Sequence, residues 1–100
     1  IYFTYMDEPG PGIYYSNIIT HSWYFVGGTW QTDGTWKLYV NGSLIDSDTG
    51  ATPVPFTSSN FVLGYADHTN DRYYHGILDE VRIYNRALNV SEIQYLYKNP

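Results

Sequence analysis

Trp30-Gln31-Thr32-Asp33-Gly34-Thr35-Trp36-Lys37-Leu38-Tyr39-Val40-Asn41-Gly42-Ser43-Leu44-Ile45 holds two turn dipeptides with a strand between them. Asp33-Gly34 and Asn41-Gly42 are pairs that tolerate positive φ at adjacent turn positions, and each lies between apolar, β-branched and aromatic runs. The spacing predicts three neighbouring antiparallel strands. Alternation along the middle one places Trp36, Leu38 and Val40 on one face and Thr35, Lys37 and Tyr39 on the other. A slip of one residue would turn Trp36 and Leu38 into water, so turns and pattern demand the same register.

Outward from this centre, the run from His21 to Gln31 is apolar on both parities and reads as a strand expecting cover on both faces, with Trp23 and Trp36 assigned to the core. Gly27-Gly28 inside it marks a bulge, or a place where a ring lies against the backbone. Ile1 to Met6 reads as a strand, Asp7 to Gly12 as a proline- and glycine-broken loop, and Ile13 to Ile19 as a short strand or an extended connection. Downstream, Ser43 to Asp48 is a strand, Thr49 to Pro55 a loop, and Phe61 to Tyr65 a strand. A polar loop from Ala66 to Arg72 follows, then a long strand from Tyr73 to Tyr84. In that last strand Asp79 shares its parity with Ile77, Val81 and Ile83. Asn89-Val90-Ser91-Glu92 fits a capping box, and Ile93, Leu96 and Tyr97 form one apolar stripe on a short helix that must dock to be stable.

The chain has 100 residues, enough for a single domain (1–100) that buries roughly two-thirds of its extended surface. With 19% aromatic residues, 12 of them Tyr, the core is built largely of rings whose hydroxyls must reach water or a partner. A net charge of −5 with five basic residues argues against nucleic acid or an acidic membrane as partner. No run is long and apolar enough for membrane insertion by this segment, and the absence of cysteine removes disulfides and thiolate sites. The first residues already read as strand interior, so a longer domain is expected, with further strands ahead of Ile1 and other domains in a larger parent chain.

Trp23 to Trp30, Lys37-Leu38-Tyr39-Val40-Asn41-Gly42, His75 to Leu88, then Glu92-Ile93 and Leu96-Tyr97 together resemble the laminin-G-like branch of the concanavalin A-like lectin/glucanase superfamily. The resemblance covers the chain from Trp23 to Tyr97. It implies an all-β antiparallel jelly-roll sandwich, incomplete at its amino end, with one short C-terminal helix. It also implies an extracellular or cell-surface module that binds glycans or other proteins or, in some branches, calcium. Gln31-Thr32 departs from the family's pattern by lengthening the approach to the Asp33-Gly34 turn.

For ligand binding, Trp30, Tyr65, Tyr73 and Tyr74 lie near strand ends or loops, where a flat ring can stack on a sugar while Asp67, His68, Asn70 or Asp71 accept from hydroxyls. The plainer reading makes these rings core or edge cover. Asp79 on an apolar parity needs satisfaction, either from loop amides, from Arg72 or Arg86, or from a cation. Asp67, Asn70, Asp71 and Asp79 are the candidate calcium ligands, since hard oxygens from a loop suit that ion. Catalysis is not expected. Glycoside hydrolysis needs two carboxyl groups about 5 to 9 Å apart on one surface, whereas Asp79 and Glu80 are consecutive and Asp46 and Asp48 read as solvating charges. His21, His68 and His75 do not converge as zinc ligands. The expected function is a recognition module for a glycan or glycoconjugate. The alternative is an adhesive spacer that contacts a surface protein and has no small-molecule site.

Overall fold

The computed structural model describes residues 2–4, 12–49, 63–66 and 72–100. Its centre is an antiparallel sheet of β3 (Val26–Trp30), β4 (Trp36–Val40) and β5 (Ser43–Asp48), with β4 in the middle. β1 (Tyr2–Thr4) and β2 (Gly12–Tyr14) form one antiparallel pair and β6 (Tyr65–Ala66) and β7 (Arg72–Tyr73) another. One helix, α1 (Val90–Lys98), follows near the C-terminus.

The turn between β4 and β5 has the expected two-residue form, with Asn41 at φ 50° and Gly42 at φ 77°, and Val40 paired to Ser43. The turn between β3 and β4 differs from expectation. Gly34 has φ 87° but Asp33 is not in the left-handed region, and the Gly34 amide donates to the Gln31 carbonyl at 3.0 Å. The result is a three-residue loop, Thr32-Asp33-Gly34, closed by the Gln31 amide on the Thr35 carbonyl at 2.8 Å. Asp33 supplies the physical reason. Its Oδ1 accepts from the Thr35 amide at 2.8 Å, a bond that bends the chain locally and holds the carboxyl below its usual pKa range.

Alternation along β4 sends side chains into two separate clusters. Trp36 and Leu38, each 1% exposed, pack with Ile13 of β2, and Tyr15 and Trp30 lie against them. Tyr39, of opposite parity, packs with Leu88 and Ile93, and Phe25 and Leu96 lie against that group. The sheet is therefore covered by β2 on one face and by α1 on the other. Between β4 and β5 the register shifts at Leu38/Tyr39, so Leu38 pairs with Asp46 and Tyr39 with Leu44. The extra residue is Ile45, and the irregularity lies here rather than at Gly27-Gly28, whose pairing with Tyr39 and Leu38 is regular. Gly27 serves instead for close approach: a Cβ there would stand 3.4 Å from Ile93 Cδ1 and 3.7 Å from the Phe25 ring.

The helix is fastened at both ends of its buried face. Asn89 Oδ1 accepts from the Glu92 amide and a Glu92 carboxylate oxygen accepts from the Asn89 amide, each at 2.9 Å, completing the expected capping box. Arg86 donates two parallel bonds to Glu92, at 2.9 and 2.7 Å. That pairing and the Asn89 amide hold the Glu92 carboxyl down to about 2. At the other end Tyr97 lies over Gly42, where a Cβ would come within 2.9 Å of the ring, and its ring centroid is 6.0 Å from that of Phe25.

Three further expectations are corrected. The strand expected from His21 begins only at Val26, after an irregular segment in which His21 has φ 64°. Trp23 is not core but 68% exposed, because it precedes the ladder and no neighbouring strand covers it among the described residues. The long strand expected from Tyr73 to Tyr84 reduces to Arg72–Tyr73, and Ile77, Leu78, Val81, Ile83 and Tyr84 are exposed. Its alternation has no paired strand beside it among the described residues, and without a ladder the pattern alone does not hold backbone extended. The expected loop at 49–55 and the start of the strand at 61–65 lie largely outside the described residues.

Candidate functional site

Of the expected binding residues, Tyr65, Tyr73 and Tyr74 lie at the β6–β7 ribbon. Its register sets Tyr65 directly across from Tyr73 and Ala66 across from Arg72. The Tyr74 amide donates to the Gly64 carbonyl at 2.8 Å, extending the connection one residue past the ribbon. Gly64 has φ 76°, which its missing side chain permits. The Tyr74 hydroxyl reaches over Gly76, 2.5 Å from where a Cβ would stand, so glycine at 76 leaves the space in which this ring lies. Tyr73 and Tyr74 are 59% and 56% exposed, adjacent rings open to solvent at the end of a ribbon.

Asp67, His68, Asn70 and Asp71 lie outside the described residues. Trp30 is set apart from this group by its packing. It ends β3 opposite Trp36 and lies half-buried against the Ile13, Trp36 and Leu38 cluster, which makes it core cover. Asp79 is exposed, and its Oδ1 accepts from the Glu80 amide at 2.8 Å. The buried, unsatisfied carboxylate expected from its parity does not arise, because the strand that would have buried it does not form. Nor does it take the expected Arg86, whose guanidinium is bound to Glu92. No group of three or more His, Asp or Glu side chains able to hold a metal occurs among the described residues.

Two features were not legible from the pattern. Trp23 adds a large exposed ring, and the signal that could have flagged it is its distance from either turn-defined hairpin. Asn41 does more than turn the chain. Its Oδ1 accepts from the Phe25 amide at 3.0 Å and its own amide donates to the Phe25 carbonyl at 2.9 Å, tying the segment ahead of β3 to the second turn. A shallow depression of about 380 Å³ lies beside the helix start, lined by Tyr84, Arg86, Leu88, Asn89, Glu92 and Tyr95 among others. None of the expected binding residues lines it, and its Asn89 and Glu92 are already engaged in capping.

Residues 13–94 match a family model, a laminin-G one, described as the concanavalin A-like lectin/glucanases superfamily. The chain is also similar to a solved structure, residues 221–444 of an S-layer domain-containing protein from Clostridium thermocellum. That likeness has 29% sequence identity and a TM-score of 0.67, and covers 96% of this chain and 49% of the other. This chain thus spans about half the length of the S-layer chain it matches. No curated protein matches the sequence. The antiparallel ladders, the closing helix and the family match agree on an all-β fold of the concanavalin A-like jelly-roll class. No helix among the described residues is long and apolar enough to cross a membrane.

Proposed function

The chain belongs to the concanavalin A-like lectin/glucanases superfamily, and from that premise we propose that it serves as a non-catalytic recognition module at a cell surface, binding carbohydrate. The observation that carries the surface assignment is the likeness to the S-layer domain-containing protein over 96% of this chain. Carbohydrate as the ligand is supported by the adjacent exposed rings of Tyr73 and Tyr74. They follow, in sequence, a loop whose Asp67, His68, Asn70 and Asp71 offer acceptors for hydroxyl groups.

A non-catalytic role is supported by the engagement of three carboxylates among the described residues. A glycosidase acid needs a raised pKa, whereas Glu92 is held at about 2 by Arg86 and the cap amide. Glu80 pairs with Arg82 at 3.0 Å, and Asp79 accepts from a backbone amide. A second reading, an adhesive spacer that contacts other proteins, is favoured by the apolar exposure of Ile77, Leu78, Val81 and Ile83.

A glycan array separates the two. Retention of a glycan that falls at least about tenfold with Tyr74→Ala supports the carbohydrate reading. Gly76→Ala should lower retention similarly, because the new methyl displaces the Tyr74 hydroxyl. No retained glycan, together with recovery of a protein partner, supports the spacer. Calcium at the 67–71 loop with Asp79 belongs to the same proposal, and its support is the run of hard oxygen donors there. Added calcium should then raise the melting midpoint and chelator lower it; no movement in either direction removes calcium from the account.

A further inference from the structure

Of the asparagines in this sequence, Asn41 alone precedes a glycine. Its carboxamide therefore has a following amide nitrogen with no side chain beside it to hinder approach. The fold holds the two apart. Asn41 Oδ1 accepts from the Phe25 amide at 3.0 Å, and the Asn41 amide donates to the Phe25 carbonyl at 2.9 Å. Asn41 also stands at φ 50° in the turn, a left-handed conformation in which ψ is about +47° and Cβ lies nearly opposite the next nitrogen across the Cα–C bond. Closing a ring from Cγ to the Gly42 nitrogen needs both on the same side of that bond. We propose that Asn41 is a deamidation site which the turn holds shut: ammonia is lost only through opening of the β4–β5 corner, and the main product keeps that corner from reforming.

The reaction needs only water and hydroxide. The Gly42 nitrogen gives its proton to hydroxide and attacks Asn41 Cγ; the N–Cγ bond forms, the Cγ–Nδ2 bond breaks, and ammonia leaves with a proton taken from water. Water then opens the resulting cyclic imide at one of its two carbonyls. Breaking the new N–Cγ bond leaves aspartate on an unaltered main chain, with a carboxylate that can still accept from the Phe25 amide. Breaking the original C–N bond leaves isoaspartate, in which the main chain runs through Cβ and Cγ and is one atom longer. A two-residue turn that pairs Val40 with Ser43 has no place for that atom, and the acceptor for Phe25 is displaced with it. The same corner seats the helix, since a Cβ on Gly42 would come within 2.9 Å of the Tyr97 ring, whose centroid is 6.0 Å from that of Phe25. Isoaspartate at 41 therefore detaches the turn, the segment ahead of β3 and the end of α1 together.

The test is peptide mapping by mass spectrometry after incubation at mildly alkaline pH, with the full chain folded in one arm and held in denaturant in the other. In denaturant, Asn41 should deamidate faster than any other asparagine of the chain. In the folded chain its rate should be at least about tenfold lower, because reaction waits on the fraction of time the corner is open. Chain recovered from the denaturing arm with isoaspartate mapped to position 41 alone should fail to regain the native circular dichroism spectrum when denaturant is removed. Asn41→Asp, which has the other product's main chain, should regain it. Equal rates at Asn41 in the folded and denatured arms overturn the proposal, as does a denatured chain in which Asn41 reacts no faster than the other asparagines. An isoaspartyl chain and an Asn41→Asp chain that refold alike also overturn it.

Discussion

Two stretches of this chain carry nearly the same alternating pattern and meet opposite fates. Trp36–Val40 is the centre of a three-stranded sheet, with every residue but Lys37 buried. Ile77–Tyr84 is exposed throughout and holds no strand. Hydrophobicity does not separate them, since the second is as rich in β-branched and aliphatic residues as the first. Neighbours do. Trp36–Val40 has a tight turn at each end that delivers an adjacent strand within a few residues, so loop closure costs little and both backbone edges are paired. Ile77–Tyr84 has no such turn beside it and is delivered no partner among the described residues. A strand pattern is an offer of pairing, and local turns decide whether it is taken up.

Substitutions break this comparison most sharply at its two ends. Trp36→Ala should cost about 3–5 kcal/mol in chemical denaturation, because the ring is 1% exposed and lies between β2 and β3. Ile77→Ala, in dilute solution, should stay within about 0.5 kcal/mol of the unmodified chain. Equal losses at the two positions would mean that the second stretch is also packed.

Next in size is the second turn. Gly42→Ala puts a methyl in the left-handed region and within 2.9 Å of the Tyr97 ring, and should cost about 2 kcal/mol. In a Tyr97→Ala background only the backbone share, about 1 kcal/mol, should remain. A cost that does not fall there would separate the turn from helix docking. The cap is smaller again. Asn89→Ala removes the acceptor for the Glu92 amide and should cost about 1 kcal/mol, read from the same denaturation curves.

The smallest effect depends on pH. Glu92 has its carboxyl lowered from 4.5 to about 2 by Arg86 first and then by the Asn89 amide. A group with a depressed folded pKa binds more protons when unfolded, so its contribution is present above about 4.5 and is lost as pH falls towards about 2. Stability measured between those limits should decline less in Glu92→Gln than in the unmodified chain. Parallel acid profiles would remove the bridge from the account. Its exposure keeps the effect modest, and added salt should shrink it.

What could be read from the sequence was local. Asn41-Gly42 and the Asn89 to Glu92 box have partners within three residues, so side-chain chemistry alone predicts their geometry. Trp36 and Leu38 were legible because both flanking turns agree with their parity. Asp33-Gly34 was misread for an equally local reason: the aspartate bonds Thr35 and draws Thr32 into the loop, so the dipeptide identifies a turn but not its type. Trp23 and the 77–84 stretch were misread because their burial needs a distant strand that no short-range signal supplies. The candidate site was the least legible part. Tyr73 and Tyr74 were singled out by their place at a loop boundary, and both rings are exposed, whereas Gly64 and Gly76, which lie against Tyr74, carry no mark in the sequence beyond being glycine.

Amide hydrogen exchange, followed residue by residue, tests the contrast between the two stretches most directly. The amides of Leu38, Tyr39 and Val40 should open only with global unfolding, while those of Ile77 to Tyr84 should exchange freely. Strong protection of Ile77 to Tyr84, or free exchange at Leu38 and Val40, would contradict the account.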